Sequence, residues 1–129
     1  MKHNNIDVVV VGGGHAGVEA ANILSKLGLI VGLVSMDKKG LGRMSCNPAI
    51  GGVAKGQLVR EVDLLGGLMA KIADLSGLQH KMLNKSKGRS VWSPRAQVDK
   101  RKYESLCSRL IFNSKNVIII EGEVVSIDI

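Results

Sequence analysis

Aromatic residues are nearly missing from this 129-residue chain: Trp92, Tyr103 and Phe112 are the whole set. Its core must therefore be aliphatic, and a platform for stacking successive bases, which needs several aromatics, is excluded. Cysteine is just as scarce. Cys46 and Cys107 stand at unrelated spacing, so neither a disulfide framework nor a zinc site is expected, and no metal ligand set is visible. Long apolar runs are missing too. The run of valines that opens the chain stops at Gly12, far too short to span a bilayer, so no membrane partner is expected. No secretory signal is recognisable, and a cytoplasmic location is the expectation.

Acidic residues are thin in the second half. Between positions 81 and 109, Lys81, Lys85, Lys87, Arg89, Arg95, Lys100, Arg101, Lys102 and Arg109 are opposed only by Asp99 and Glu104, within a chain of net charge +7. A polyanionic partner is one reading of this imbalance. A solvated helix face plus a phosphate-facing loop is the other, and no motif of a known nucleic-acid module decides between them.

What the chain does have is a glycine turn in a telling setting. Val8 to Val11 run into Gly12-Gly13-Gly14-His15-Ala16-Gly17, and a helical pattern follows. Gly12, Gly14 and Gly17 fit G-x-G-x-x-G between a strand and a helix. The first glycine permits the turn, the second lets a pyrophosphate approach, and the third brings helix and strand close. The helix N-terminus adds unpaired N–H groups and the positive end of its dipole. A dinucleotide is expected here. An NAD site carries an acid at the end of the second strand, about 20 residues past the glycines. Ser35 holds that place and Asp37 follows two residues later, so FAD and NAD both stay open at this point.

The rest reads as an α/β chain. Strands are expected at Ile6–Val11, Leu29–Ser35 and Val117–Ile120, with a half-exposed strand at Glu123–Ile127. Helices are expected at Gly17–Leu27, Gln57–Ala73 (weakened at Gly66-Gly67) and Arg95–Phe112, the last capped by Ser93 with Pro94 in its first turn. His80–Leu83 reads as a short strand and Asn84–Pro94 as a basic loop. Met36–Gly56 reads as a long glycine-rich loop, and a loop of about twenty residues in a compact domain is usually functional.

That loop carries the most specific stretch: Gly42-Arg43-Met44-Ser45-Cys46-Asn47-Pro48-Ala49-Ile50-Gly51-Gly52, then Lys55-Gly56. It closely resembles the signature of the MnmG (GidA) family, FAD-dependent tRNA uridine 5-carboxymethylaminomethyl modification enzymes. Leu64 to Ala70, Asn84 to Gly88 and Arg95 to Asp99 resemble further blocks of that family, so the likeness covers nearly the whole chain. One departure stands at Arg89, where the family usually has proline after Ser-Lys-Gly.

The resemblance implies a Rossmann-like FAD-binding fold of glutathione-reductase type. The fold would be incomplete here: a parallel sheet with flanking helices and the start of a β-meander. Residues 1–129 would form the N-terminal part of an FAD-binding domain, the remainder of the enzyme being absent. By the resemblance, Gly12, Gly13, Gly14, His15, Ala16 and Gly17 hold the FAD pyrophosphate region and Val124 contacts the cofactor. In the full-length family, NADH is the reductant and methylene-tetrahydrofolate the one-carbon donor. tRNA is the substrate, an MnmE-type GTPase is the partner, and the enzyme is a homodimer.

Cys46 aligns with a cysteine of the signature loop and is the candidate catalytic residue. C5 of uridine is a poor nucleophile, and a thiolate adding at C6 turns it into an enolate-like carbon. Arg43, Lys55 and the amides of Gly51-Gly52 are the groups that would favour the thiolate. The plain alternative is an inert, packed cysteine. A disulfide reductase is excluded, because Ala49 and Gly51 stand where a second cysteine would be. Cys107 reads as packing. His15 can meet a phosphate or ribose, or face solvent. Lys87, Arg89 and Arg95 can meet RNA phosphate or flavin, or simply be solvated. His80 and Trp92 are left without an assigned role, packing being the commoner one for each. Two other readings of the whole stay open: an NAD-dependent oxidoreductase domain, and a non-catalytic nucleotide-binding remnant.

Overall fold

The computed structural model describes residues 5–128. In chain order the elements are β1 (Val8–Val11), α1 (His15–Lys26), β2 (Val31–Ser35), β3 (Ala49–Gly51), α2 (Lys55–Leu64), α3 (Met69–Ser76), β4 (Gly77–Leu83), β5 (Ser93–Val98), α4 (Lys100–Phe112) and β6 (Val117–Glu121). The chain divides into two compact units. One comprises residues 5–43 and 107–128, the other Met44–Leu106.

The first unit is built on a three-stranded parallel sheet of order β1-β2-β6. Its strands are short β-branched runs, and β2 takes the middle place, where Val31 and Leu33 are fully buried. Val18 and Ala21 of α1 add to the core, as do Leu41, Cys107 and Ile111. Each buried Val, Leu or Ile side chain stabilises the fold by about 2 kcal/mol. The core is aliphatic, as the shortage of aromatics requires. α1 ends where its sequence says it should: Leu29 N–H donates to Leu24 O and Gly28 N–H to Ser25 O, a Schellman pair with Gly28 just past the cap.

The second unit is a three-stranded antiparallel sheet of order β3-β5-β4 with α2 and α3 packed on it. Ile50, Ile72, Ala73 and Val98 are buried there. The buried Ser93 hydroxyl donates to Gly52 O, and its contact with Gln57 Oε1 at 3.2 Å ties the start of β5 to α2.

Four expectations need correction here. Residues 93–98 form strand β5, not the start of a helix, and Ser93 caps nothing. α4 starts at Lys100, and its cap is Asp99, whose carboxylate accepts from Lys102 N–H at 3.0 Å while its carbonyl accepts from Tyr103 N–H. The long helix over 57–73 is two helices, because Gly66, at φ +89, turns the chain between them. The long loop contains β3, which pairs with β5. Residues 123–127 form no strand.

Candidate functional site

The glycine turn lies at the C-terminal end of β1, in the first unit. Gly12 has φ +106, a conformation that side chains rarely adopt, so the turn itself requires glycine. A Cβ on Gly17 would overlap the carbonyl oxygen of Gly12, so the close approach of α1 to the turn requires glycine there as well. Gly14 differs from both. It is the N-cap of α1, with φ −72 and no side chain capping the first turn, and a Cβ on it would meet nothing within 4 Å. The protein leaves open space at Gly14, beside a helix N-terminus that no side chain caps. That is the arrangement a pyrophosphate fits.

The space is a cleft of about 470 Å³ in front of the C-terminal ends of all three parallel strands. Gly12, Gly13 and Gly14 line one side. Ser35, Met36 and Asp37 follow from β2, and Gly122, Glu123 and Val124 from β6. In open α/β sheets, ligands bind at this end of the strands. His15, Ala16 and Gly17 form the first turn of α1 immediately behind the glycines.

Two charged groups of the cleft, Asp37 and Arg43, are already ordered. Arg43 Nη2 lies 2.8 Å from Asp37 Oδ2, and Lys39 N–H donates to Asp37 Oδ1 at 2.9 Å. The Lys39 N–H, chiefly, holds the Asp37 carboxyl below its ordinary value; desolvation opposes it, and the Arg43 guanidinium adds to the lowering. Lys38 bonds Glu121, its Nζ lying 3.2 Å from Oε2, and this holds the Glu121 carboxyl down in the same way. Ser35 Oγ donates to Asp37 O, so the last residue of β2 orients the turn that follows.

Cys46 belongs to the second unit, and its thiol is exposed, 3.9 Å from Ser45 Oγ. Two of the groups expected to activate it are committed elsewhere. Arg43 is on Asp37, and Gly52 N–H donates to Pro94 O at 2.9 Å. Cys107 is buried, and burial, with a smaller contribution from the charge of Glu19, pushes its thiol up to about 12. Among the described residues no group of three or more His, Cys, Asp or Glu could hold a metal, and no helix is long and apolar enough to cross a membrane.

Sequence reasoning missed Arg43 as a cleft residue and missed Gly122 and Glu123. The spacing of Asp37 and Arg43 across a short turn was a usable signal for the first. The second followed from β6 being parallel to β2, which delivers its C-terminal residues to the same end of the sheet.

Residues 7–129 match the family model described as glucose inhibited division protein A. The chain belongs to this family. It is 54% identical over 121 residues to the tRNA uridine 5-carboxymethylaminomethyl modification enzyme MnmG of Sulfurihydrogenibium sp. (strain YO3AOP1), covering 94% of this chain and 20% of that protein. It is 49% identical over 124 residues to MnmG of Aquifex aeolicus (strain VF5), covering 96% of this chain and 20% of that one. The solved structure of Aquifex aeolicus GidA in its form II crystal superposes with a TM-score of 0.95 at 47% identity, over 100% of this chain and 21% of that chain. The chain thus spans about a fifth of the length of the curated relatives it matches. PqsL of Pseudomonas aeruginosa, described as a probable FAD-dependent monooxygenase, shares the fold at TM-score 0.56 and 19% identity, over 91% of this chain and 33% of that one.

Proposed function

We propose that this chain is the FAD-binding N-terminal part of an enzyme that builds the carboxymethylaminomethyl group at C5 of the tRNA wobble uridine. The observation that carries the cofactor half is the open space at Gly14, facing the cleft at the strand ends. The relatives named for tRNA uridine modification support the other half.

In this reading the N–H groups of the first turn of α1, from His15 to Gly17, hold the FAD pyrophosphate. Gly12 and Gly13 form the floor beneath it, and Val124 contributes an apolar wall. Asp37, two residues past β2, is fixed by Arg43 and lines the same cleft. FAD held by these residues would supply the redox chemistry, with methylene-tetrahydrofolate as the proposed one-carbon donor and NADH as the proposed reductant. An MnmE-type GTPase and a second copy of the enzyme are the proposed protein partners.

Cys46 is the proposed nucleophile. Its Sγ adds to C6 of the uracil ring, the C5–C6 π electrons move toward the C4 oxygen, and C5 then attacks an iminium carbon whose C=N π pair moves to nitrogen. Loss of the C5 proton and expulsion of the thiolate then restore the ring. Its exposed thiol supports this role, and the buried Cys107 has no comparable access.

Titration of the purified chain with FAD tests the cofactor assignment. The expected result is tight binding with flavin absorbance that survives desalting. A colourless chain that binds NADH instead would overturn it.

A further inference from the structure

The antiparallel sheet of the second unit has two unlike faces. Pro94, Ala96 and Val98 alternate with Ser93, Arg95 and Gln97 along β5, and α2 and α3 pack against this sheet. On the face carrying Arg95 and Gln97, the ladder sets Lys81 directly opposite Arg95 and Gln79 directly opposite Gln97. Directly opposed residues of an antiparallel pair leave the sheet on the same side. All four of these side chains are exposed.

Two like charges opposed across a ladder destabilise it. Neither Lys81 nor Arg95 forms an ion pair with a carboxylate among the described residues. On the other side of β5, the partners of Arg95 and Gln97 in β3 are Gly51 and Ala49. Such small residues cover nothing, and a hollow of about 190 Å³ lies there, lined by Asn47, Pro48, Ala49, Arg95 and Gln97. One sheet face therefore combines two uncompensated cations with a hollow bearing two side-chain amides.

We propose that this face binds a single-stranded RNA segment. Lys81 and Arg95 take a phosphodiester, and the amides of Asn47 and Gln97 bond the adjoining nucleotide in the hollow. The charges supply the anion site, and an amide offers both the donor and the acceptor that a base edge needs. RNA is favoured over a compact anion because the amides extend the site beyond one charged group. Asn47 also directly follows Cys46, whose thiol is exposed. This assignment rests on the tRNA reading above and specifies where the RNA strand meets this chain.

The test is fluorescence anisotropy of the whole 129-residue chain with a labelled anticodon stem–loop RNA, repeated over a series of salt concentrations. Lys81→Gln with Arg95→Gln is expected to weaken binding at least about tenfold at low salt. It should also flatten the salt slope by about 0.7 for each phosphate that is no longer neutralised. Lys100→Gln with Lys102→Gln on α4 removes the same charge and is expected to leave both quantities nearly unchanged. Gln97→Ala removes no charge and is expected to weaken binding about threefold at constant slope, and it serves if the double variant fails to fold. Equal losses in the two charge-matched doubles, or no loss at Lys81, Arg95 and Gln97, overturn the proposal while the tRNA reading stands. A wild-type chain that retains FAD yet binds no RNA overturns the proposal and the RNA half of that reading, leaving the flavin half.

Discussion

Arg43 and Asp37 form an ion pair of 2.8 Å at the mouth of the glycine cleft, six residues apart across a single turn. The pair takes both residues out of the roles their positions suggest. Arg43 sits three residues before Cys46 yet is bound to a carboxylate of the cofactor cleft. Asp37 is not a free acid awaiting a ribose but one already fixed on two sides.

The first prediction follows from what fixes it. The Lys39 N–H contributes most to lowering the Asp37 carboxyl, with the guanidinium behind it. In Arg43→Gln the Asp37 carboxyl should therefore titrate higher than in the parent chain but still below an ordinary aspartate. Its folded value is depressed, so the stability it contributes is present above the unfolded value and lost as pH falls through the folded one. A carbon-detected NMR titration of the aspartate carboxyls reads both values. Equal titration in the two proteins would mean that the ion pair is not formed in solution.

Gly14 and Gly17 separate ligand from fold. Gly17→Ala drives a Cβ into the Gly12 carbonyl and should cost about 1–3 kcal/mol of stability, as overpacking does. Gly14→Ala places its Cβ in open space and should change stability by no more than about 1 kcal/mol. It should nevertheless weaken FAD binding by more than about tenfold, because the methyl occupies the pyrophosphate space. Thermal melts and flavin titrations of the two variants check this. If Gly14→Ala binds FAD like the parent chain, the pyrophosphate does not lie at the first turn of α1.

The two thiols should behave as opposites. Cys46 is exposed and should react with a thiol reagent within the mixing time of a bench assay, whereas Cys107 should wait for unfolding. The Cys107 thiol, raised to about 12 by burial, is protonated at every pH at which the fold is expected to persist. Reagent counts before and after denaturation give one fast and one slow equivalent. Cys46→Ser removes the fast equivalent and leaves the melting temperature unchanged. In an active enzyme containing this segment, the same substitution is expected to abolish uridine modification while leaving bound flavin in place.

The parallel half of the fold was legible because its signals are local. A β-branched run, a glycine turn and an amphipathic helix each declare themselves within a dozen residues, and Val8 to Lys26 folds as read. Of the antiparallel half, only His80–Leu83, within β4, was read as a strand, because the other strands depend on partners far along the chain. Ala49–Gly51 is three residues long and exists as a strand only against β5, and Arg95-Ala96-Gln97 suits a helix as well as a sheet until that pairing is known. The site divides the same way. The glycines were visible, while Arg43, Gly122 and Glu123 reach the cleft through a turn and through the parallel placement of β6.

The misread start of α4 supplies the last prediction. Ser93-Pro94 has the composition of a helix start, but the Ser93 hydroxyl is buried on Gly52 O, and residues 93–98 are paired with β4, of which 95–97 are paired with β3 as well. Asp99, the first residue after β5, does the capping, with its carboxylate on Lys102 N–H. Asp99 N–H in turn donates to Ser76 O at 2.8 Å, so the same residue closes the end of β5 against the end of α3. Asp99→Ala keeps that backbone bond and removes only the cap, at a cost of about 1 kcal/mol. Ser93→Ala removes the hydroxyl while Gly52 O keeps its bond from Gly56 N–H at 2.9 Å, so one buried hydrogen bond is lost, at a cost of about 1 kcal/mol. Had Ser93 been the cap, Asp99→Ala would be nearly silent, so denaturant midpoints of the two variants decide where α4 begins.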